Sequence, residues 1–190
     1  FDQMTNLSIG LRDMLKAHFT INHIKVDHMQ RSADGTIKNA VTLFDGMVVE
    51  SVLIPTEKRI TACVSSQVGC SLACKFCATA RLKRQRNLSP DEIYDQVVAI
   101  KEQAELFFGR PLTNIVFMGM GEPLLNYANV ISAIEKITSQ KGLNMASKRI
   151  TVSTVGIAKM IVKMADDDVK FNLAVSLHSA LDKTRSSIMP

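Results

Sequence analysis

From residue 60 to its end the chain alternates apolar strands with amphipathic helices, and few architectures accommodate that order. "ITACVSS" reads as a strand, and "NIVFM" at 114–118 is a continuous apolar run of the kind buried on both faces of a sheet. "RITVST" (149–154) and "FNLAVS" (171–176) are two further strands. Helical periods lie between them: Ile93, Val97, Ile100 and Ala104, then Val130, Ile134 and Ile137, then Ile157, Ile161 and Met164. Ser89-Pro90-Asp91-Glu92 is a capping box with proline at the first helical position, Gly109 ends that helix, and Asn126 is placed to cap the next. Four strands joined through helices by short connections call for a parallel sheet, either open and doubly wound or part of a (β/α) barrel.

The first 57 residues read differently. Leu7, Leu11, Met14 and Leu15 recur at helical spacing within 6–19. Ser32-Ala33-Asp34-Gly35 is a turn, and Asp45-Gly46 between "IKNAVTLF" and "MVVESVLI" is a two-residue hairpin signal. The expected organisation is an α/β fold with a helix-and-hairpin appendage over 1–57 and a core over 58–190. Starting at Phe1 rather than Met, and stopping at Pro190, the chain reads as a piece of something longer.

No apolar run approaches the ~20 residues of a membrane span, so no membrane role is expected. The net charge of +5, from 23 Lys+Arg against 18 Asp+Glu, suits a nucleic-acid partner without requiring one. Arg81, Lys83, Arg84 and Arg86 form the one charge run, suited either to phosphate contact or to plain solvation.

All four cysteines fall in "CVSSQVGCSLACKFC". Cys70, Cys74 and Cys77 form a C-x3-C-x2-C run, and Cys63 stands seven residues upstream. Three closely spaced thiolates fit an iron–sulfur cluster with one iron free of protein ligands. A zinc site and disulfides remain open, although the second C-x2-C pair of a zinc ribbon is missing. On spacing alone Cys63 reads more readily as a small buried hydrophobe than as a functional thiol.

Cys70-Ser71-Leu72-Ala73-Cys74-Lys75-Phe76-Cys77, following the first strand of a β/α series, resembles the signature of the radical S-adenosylmethionine (SAM) superfamily. "CVSSQVGC", "CATA", "RNLSPDEI", "FMGMGEPLLN", "RITVSTVGI" and "VSLHSA" through "IMP" are together similar to the RlmN/Cfr family of RNA adenine methyltransferases, from about Met4 to Pro190. The resemblance implies a partial (β/α) barrel of radical SAM type, truncated after about four strands. It implies that Cys70, Cys74 and Cys77 hold a [4Fe–4S] cluster whose open iron chelates SAM. One electron then yields a 5′-deoxyadenosyl radical, chemistry suited to an adenine carbon that ordinary methyl donors cannot reach.

The resemblance further implies site residues. A glutamate thirteen positions before the resolving cysteine accepts a proton, which is Glu50 if Cys63 is the resolving thiol. Alternation places Glu50 on a strand face with Val48, Val52 and Ile54, where partial desolvation would suit a base; a water-facing edge glutamate is the plain alternative. Gly121 and Glu122 contact SAM, as do Ser153, Ser176, Leu177 and His178, with Phe76 near its adenine. By composition alone that glycine turn and His178 carry purely structural readings.

The implied substrates are 23S rRNA and tRNA, methylated on adenine C2 in the cytoplasm with an electron donor such as flavodoxin. The family's methyl-carrying cysteine is not among the four present, so this piece is not expected to complete methylation. An adenine-C8 methyltransferase of the same family is the nearest alternative, with Val68 and Pro123 favouring C2. A zinc-stabilised RNA-binding module is the alternative of another class.

Overall fold

The computed structural model describes residues 1–189. Its frame is one seven-stranded sheet. Strands β1 (Lys25–Arg31), β2 (Ile37–Thr42) and β3 (Val48–Pro55) form an antiparallel meander, and β3 pairs antiparallel with β4 (Ile60–Cys63). The sheet therefore runs without a break across residues 57–58. Beyond two short strands, β5 (Gln67–Val68) and β6 (Arg86–Asn87), the main sheet continues with β7 (Asn114–Phe117), β8 (Ile150–Thr154) and β9 (Asn172–Val175). The four strands β4, β7, β8 and β9 are parallel and adjacent in chain order. An order with no reversal is the singly wound arrangement of a barrel rather than a doubly wound sheet.

Helix α1 (Ile9–His18) precedes the sheet, and none of its residues is fully buried, with Leu15 on its apolar stripe partly covered. Helix α2 (Pro90–Phe108) starts at the Ser89–Glu92 capping box and ends at Gly109 in the left-handed region (φ 59°), as the sequence indicates. Helices α3 (Tyr127–Thr138) and α4 (Ala158–Asp166) follow β7 and β8, and α5 (Asp182–Ile188) follows β9. Asn126 precedes α3 but does not cap it with its side chain. Its Nδ2 instead donates to the carbonyls of Ser66 (2.8 Å) and Leu88 (2.9 Å).

Alternation divides the sheet into two faces. Ile37, Leu53, Ala62, Ile115, Phe117 and Ile150 are all buried, on the face that contributes to the core with Ile93, Ile100 and Ile137 of the helices. Each of the isoleucine, leucine and phenylalanine side chains contributes about 1.5–3 kcal/mol when taken out of water. The other face carries Lys38, Glu50 and Val52, then Cys63 opposite Val52, then Val116 opposite Cys63. It is open, and the site lies along it.

Candidate SAM cleft and cysteine loop

The loops that leave the carboxyl ends of the parallel strands meet at a cleft of about 320 Å³. Such loops are where parallel α/β folds place ligands. Phe76 comes from the connection after β4, Gly121 and Glu122 from that after β7, Ser153 from the end of β8, and Ser176 and His178 from beyond β9. Six of the seven residues expected at SAM thus line one cavity. Leu177, the seventh, does not line it and is 55% exposed.

The cleft is built on a buried polar buckle. Ser65, Ser66 and Gln67 all lie beneath the surface and grip the Gly119–Glu122 turn. The Ser65 hydroxyl accepts the Met120 N–H (2.8 Å), the Met120 carbonyl accepts the N–H groups of Ser66 (2.9 Å) and Gln67 (3.2 Å), and Gln67 Oε1 accepts the Glu122 N–H (2.9 Å). This contact dictates the glycines. A Cβ on Gly121, which sits at φ +93°, would stand 2.5 Å from Gln67 Cβ and 2.8 Å from its main-chain nitrogen. Glycine spacing alone does not reveal that reason.

Glu122 is 3% exposed. Its Oε1 accepts the Leu124 N–H (3.0 Å) and its Oε2 the Val155 N–H (3.0 Å), so one carboxylate ties the turn after β7 to the loop after β8. Among the described residues no lysine or arginine pairs with it. A buried carboxylate without a cation suits the ammonium group of a ligand in the same cleft. Across the cleft the Phe76 and His178 rings lie 4.1 Å apart at 37°, with His178 in a left-handed backbone conformation (φ 57°).

Cys70, Cys74 and Cys77 share one loop, anchored by the Lys75 N–H to the Ile188 carbonyl (2.9 Å) and the Cys70 N–H to the Leu82 carbonyl (3.3 Å). All four cysteines are free. Burial pushes the Cys70 and Cys74 thiols up, and the neighbouring Cys77 thiol and Glu122 carboxylate push the same way; at Cys70 the Leu72 N–H opposes them. A cation bound among them would reverse that balance. Among the described residues no group of three or more His, Cys, Asp and Glu side chains is already assembled around a metal position. Cluster thiolates reach separate irons, so three cysteines in one loop without a fourth protein ligand fit a [4Fe–4S] group open at one iron.

Glu50 and Cys63 lie on the open face, as their register requires. Cys63 is buried, and burial raises its thiol while the Met118 N–H partly offsets this. Glu50 departs from expectation. Its side chain is 49% exposed and its Oε1 lies 2.5 Å from Lys38 Nζ, so the partly desolvated carboxylate is not formed here. Lys38, a diagonal neighbour across β2 and β3, carries no signal in the sequence that marks it as that partner.

The basic run also divides. Arg81, Lys83 and Arg84 are exposed. Arg86 is not free for phosphate: it forks onto Glu92 (2.8 and 2.8 Å), bonds Asp45 (2.7 Å) and stacks over Phe44. Those two carboxylates hold its guanidinium still further above its ordinary range.

Comparison with known proteins agrees with this geometry. The sequence pattern of the Radical SAM superfamily matches residues 64–189. The chain is 71% identical over 190 residues to a "Probable dual-specificity RNA methyltransferase RlmN" of Flavobacterium psychrophilum, covering all of this chain and 55% of that protein. A relative of the same name from Salinibacter ruber is 48% identical over 196 residues, covering all of this chain and 53% of the relative. The crystal structure of a radical SAM methyltransferase from Sphaerobacter thermophilus superposes with a TM-score of 0.90 at 40% identity, over all of this chain and 55% of that one. The chain spans about half the length of the curated relatives it matches. With the cysteine loop, the cleft and the matched pattern in agreement, the chain belongs to the radical SAM superfamily.

Proposed function

We propose that the protein containing these residues methylates C2 of adenine in 23S rRNA and tRNA. The observation that carries this reading is the cleft, where Phe76, Gly121, Glu122, Ser153, Ser176 and His178 converge beside the cysteine loop. The names of the relatives supply the RNA substrate class. Cys70, Cys74 and Cys77 would hold the [4Fe–4S] cluster, which with SAM supplies a 5′-deoxyadenosyl radical. Glu122, buried and without a cation among the described residues, receives the SAM ammonium group, Phe76 packs near the adenine, and His178, in contact with the Phe76 ring, also touches SAM. Glu50 accepts the proton lost from C2 once it leaves Lys38. Cys63 is the resolving thiol and pairs with a second cysteine that is not among these residues, because the other three are cluster ligands.

An electron donor of the flavodoxin kind reduces the cluster, and the reaction belongs in the cytoplasm. No described helix is long and apolar enough to cross a membrane. Mass spectrometry of rRNA from a knockout strain complemented with the full-length gene tests the regiochemistry. A methyl on C2 is expected. A methyl on C8 would reassign the protein to the other branch of the family, and no methyl on adenine would end the proposal.

A further inference from the structure

The hydroxyl of Ser65 touches main chain on two sides of the site. Ser65 is fully buried and lies two residues past Cys63, where the chain leaves β4. Its Oγ–H donates to the Glu50 carbonyl (2.5 Å) while its Oγ accepts the Met120 N–H (2.8 Å). The residue itself is clamped, because Gln96 Oε1 accepts the Ser65 N–H (2.9 Å) and Gln96 Nε2 donates to the Ser65 carbonyl (3.3 Å). Every polar group of Ser65 is therefore used, each toward α2, β3 or the turn after β7. The approach is closed on its remaining side: a Cβ on Gly119 would stand 2.7 Å from the Ser65 Oγ.

One hydroxyl thus joins the strand that carries Glu50 to the turn that carries Gly121 and Glu122. Among the described residues the carboxylate of Glu50 is tethered by one exposed pair, with Lys38, a weak restraint in water. Its main-chain carbonyl accepts the Ser65 hydroxyl in a partly buried bond, and losing that hydroxyl also leaves the buried Met120 N–H without its partner. The fixed end of Glu50 is the backbone: the β2–β3 ladder holds it within the sheet, and Ser65 ties its carbonyl to the turn after β7.

We propose that Ser65 is a positioning residue, setting the separation between the proton acceptor and the SAM-binding turn. The proposal rests on the reading of Glu50 as proton acceptor and of the cleft as the SAM site. Displacing a reacting group by about 1 Å can cost on the order of 10²-fold in rate. Without the hydroxyl, the cleft still binds and cleaves SAM, but Glu50 no longer meets the adenine in register. SAM is then consumed without methylated product.

The test uses the full-length protein, reconstituted anaerobically, with dithionite as reductant and an unmodified 23S rRNA fragment as substrate. The readout is 5′-deoxyadenosine released per methylated adenine, in wild type, Ser65→Ala, Ser65→Cys and Glu50→Gln. For Ser65→Ala the ratio is expected to rise at least about fivefold with iron content retained, within the range that such misplacement produces. Ser65→Cys, which keeps a weak donor and acceptor, should fall between it and wild type. An unchanged ratio, with both products falling in proportion, would overturn the proposal, as would loss of iron from both serine variants. Glu50→Gln separates the two readings. If it still methylates, Glu50 is not the proton acceptor and the underlying reading fails; if it does not, an unchanged Ser65→Ala ratio counts against Ser65 alone.

Discussion

Residues 64–69 and 70–77 are consecutive parts of one connection, yet all six of the first are buried and of the next eight only Cys74 is. The first part is held by side chains and main chain from three elements. Gln96 clamps Ser65, Asn126 holds the Ser66 carbonyl, and Asn87 Oδ1 accepts Gln67 Nε2 (2.7 Å). The cysteine loop that follows depends on a few main-chain bonds, and its Phe76 is 53% exposed. The two stretches divide the work of building a site. The buckle is preorganised by the protein and shapes the Gly119–Glu122 turn before any ligand arrives. The loop presents its thiols, and a bound cluster supplies the remaining order, as metals commonly do for short ligand loops.

The comparison is broken most severely from the loop side. In the full-length protein Cys74→Ala should drop reconstituted iron from about four per chain to below about one. Far-UV circular dichroism should stay unchanged, because the buckle and core do not depend on the cluster. If the chain unfolds instead, the loop is as structural as the buckle and the contrast disappears.

On the buckle side, Gly121→Ala forces a Cβ into the Gln67 main chain at a positive φ. Strain of about 1–3 kcal/mol from the backbone adds to about 1–3 kcal/mol of overpacking. The denaturation midpoint should fall accordingly, with no change in the m-value. Gln96→Leu is milder: it leaves the Ser65 N–H and carbonyl unpaired and should lower stability by about 1–3 kcal/mol in the same experiment.

The smallest effect sharpens the boundary where the connection returns. Arg86 lies on β6, paired to the buckle through β5, whereas Arg81, Lys83 and Arg84 extend from the cysteine loop. Replacing those three by alanine should weaken RNA binding and reduce the slope of log affinity against log salt by about three. Arg86→Met should leave that slope unchanged while lowering stability, because its partners are Glu92 and Asp45.

The sequence displays most of the frame. Apolar runs and helical periods place β7, β8, α2 and α3 because those elements are buried, and burial is what periodicity records. Continuity of the sheet from β3 to β4 is not legible, since pairing across Thr56–Arg59 depends on register rather than composition. Within the site, cysteine spacing and the glycine turn are visible as text, and the resemblance assigns their roles. Ser65, Ser66 and Gln67 in a loop, and Gln96 on α2, escape notice because polar residues look solvated until their buried partners are known. Glu50 shows the opposite error: alternation finds its face correctly but cannot tell that the face is open and that Lys38 stands beside it.

The most direct test of the account is electron paramagnetic resonance of the full-length protein, reconstituted anaerobically with iron and sulfide and reduced, with and without SAM. A reduced-cluster signal that SAM alters, and that is absent from Cys74→Ala, is the predicted result. Stoichiometric zinc and a spectrum indifferent to SAM would contradict it.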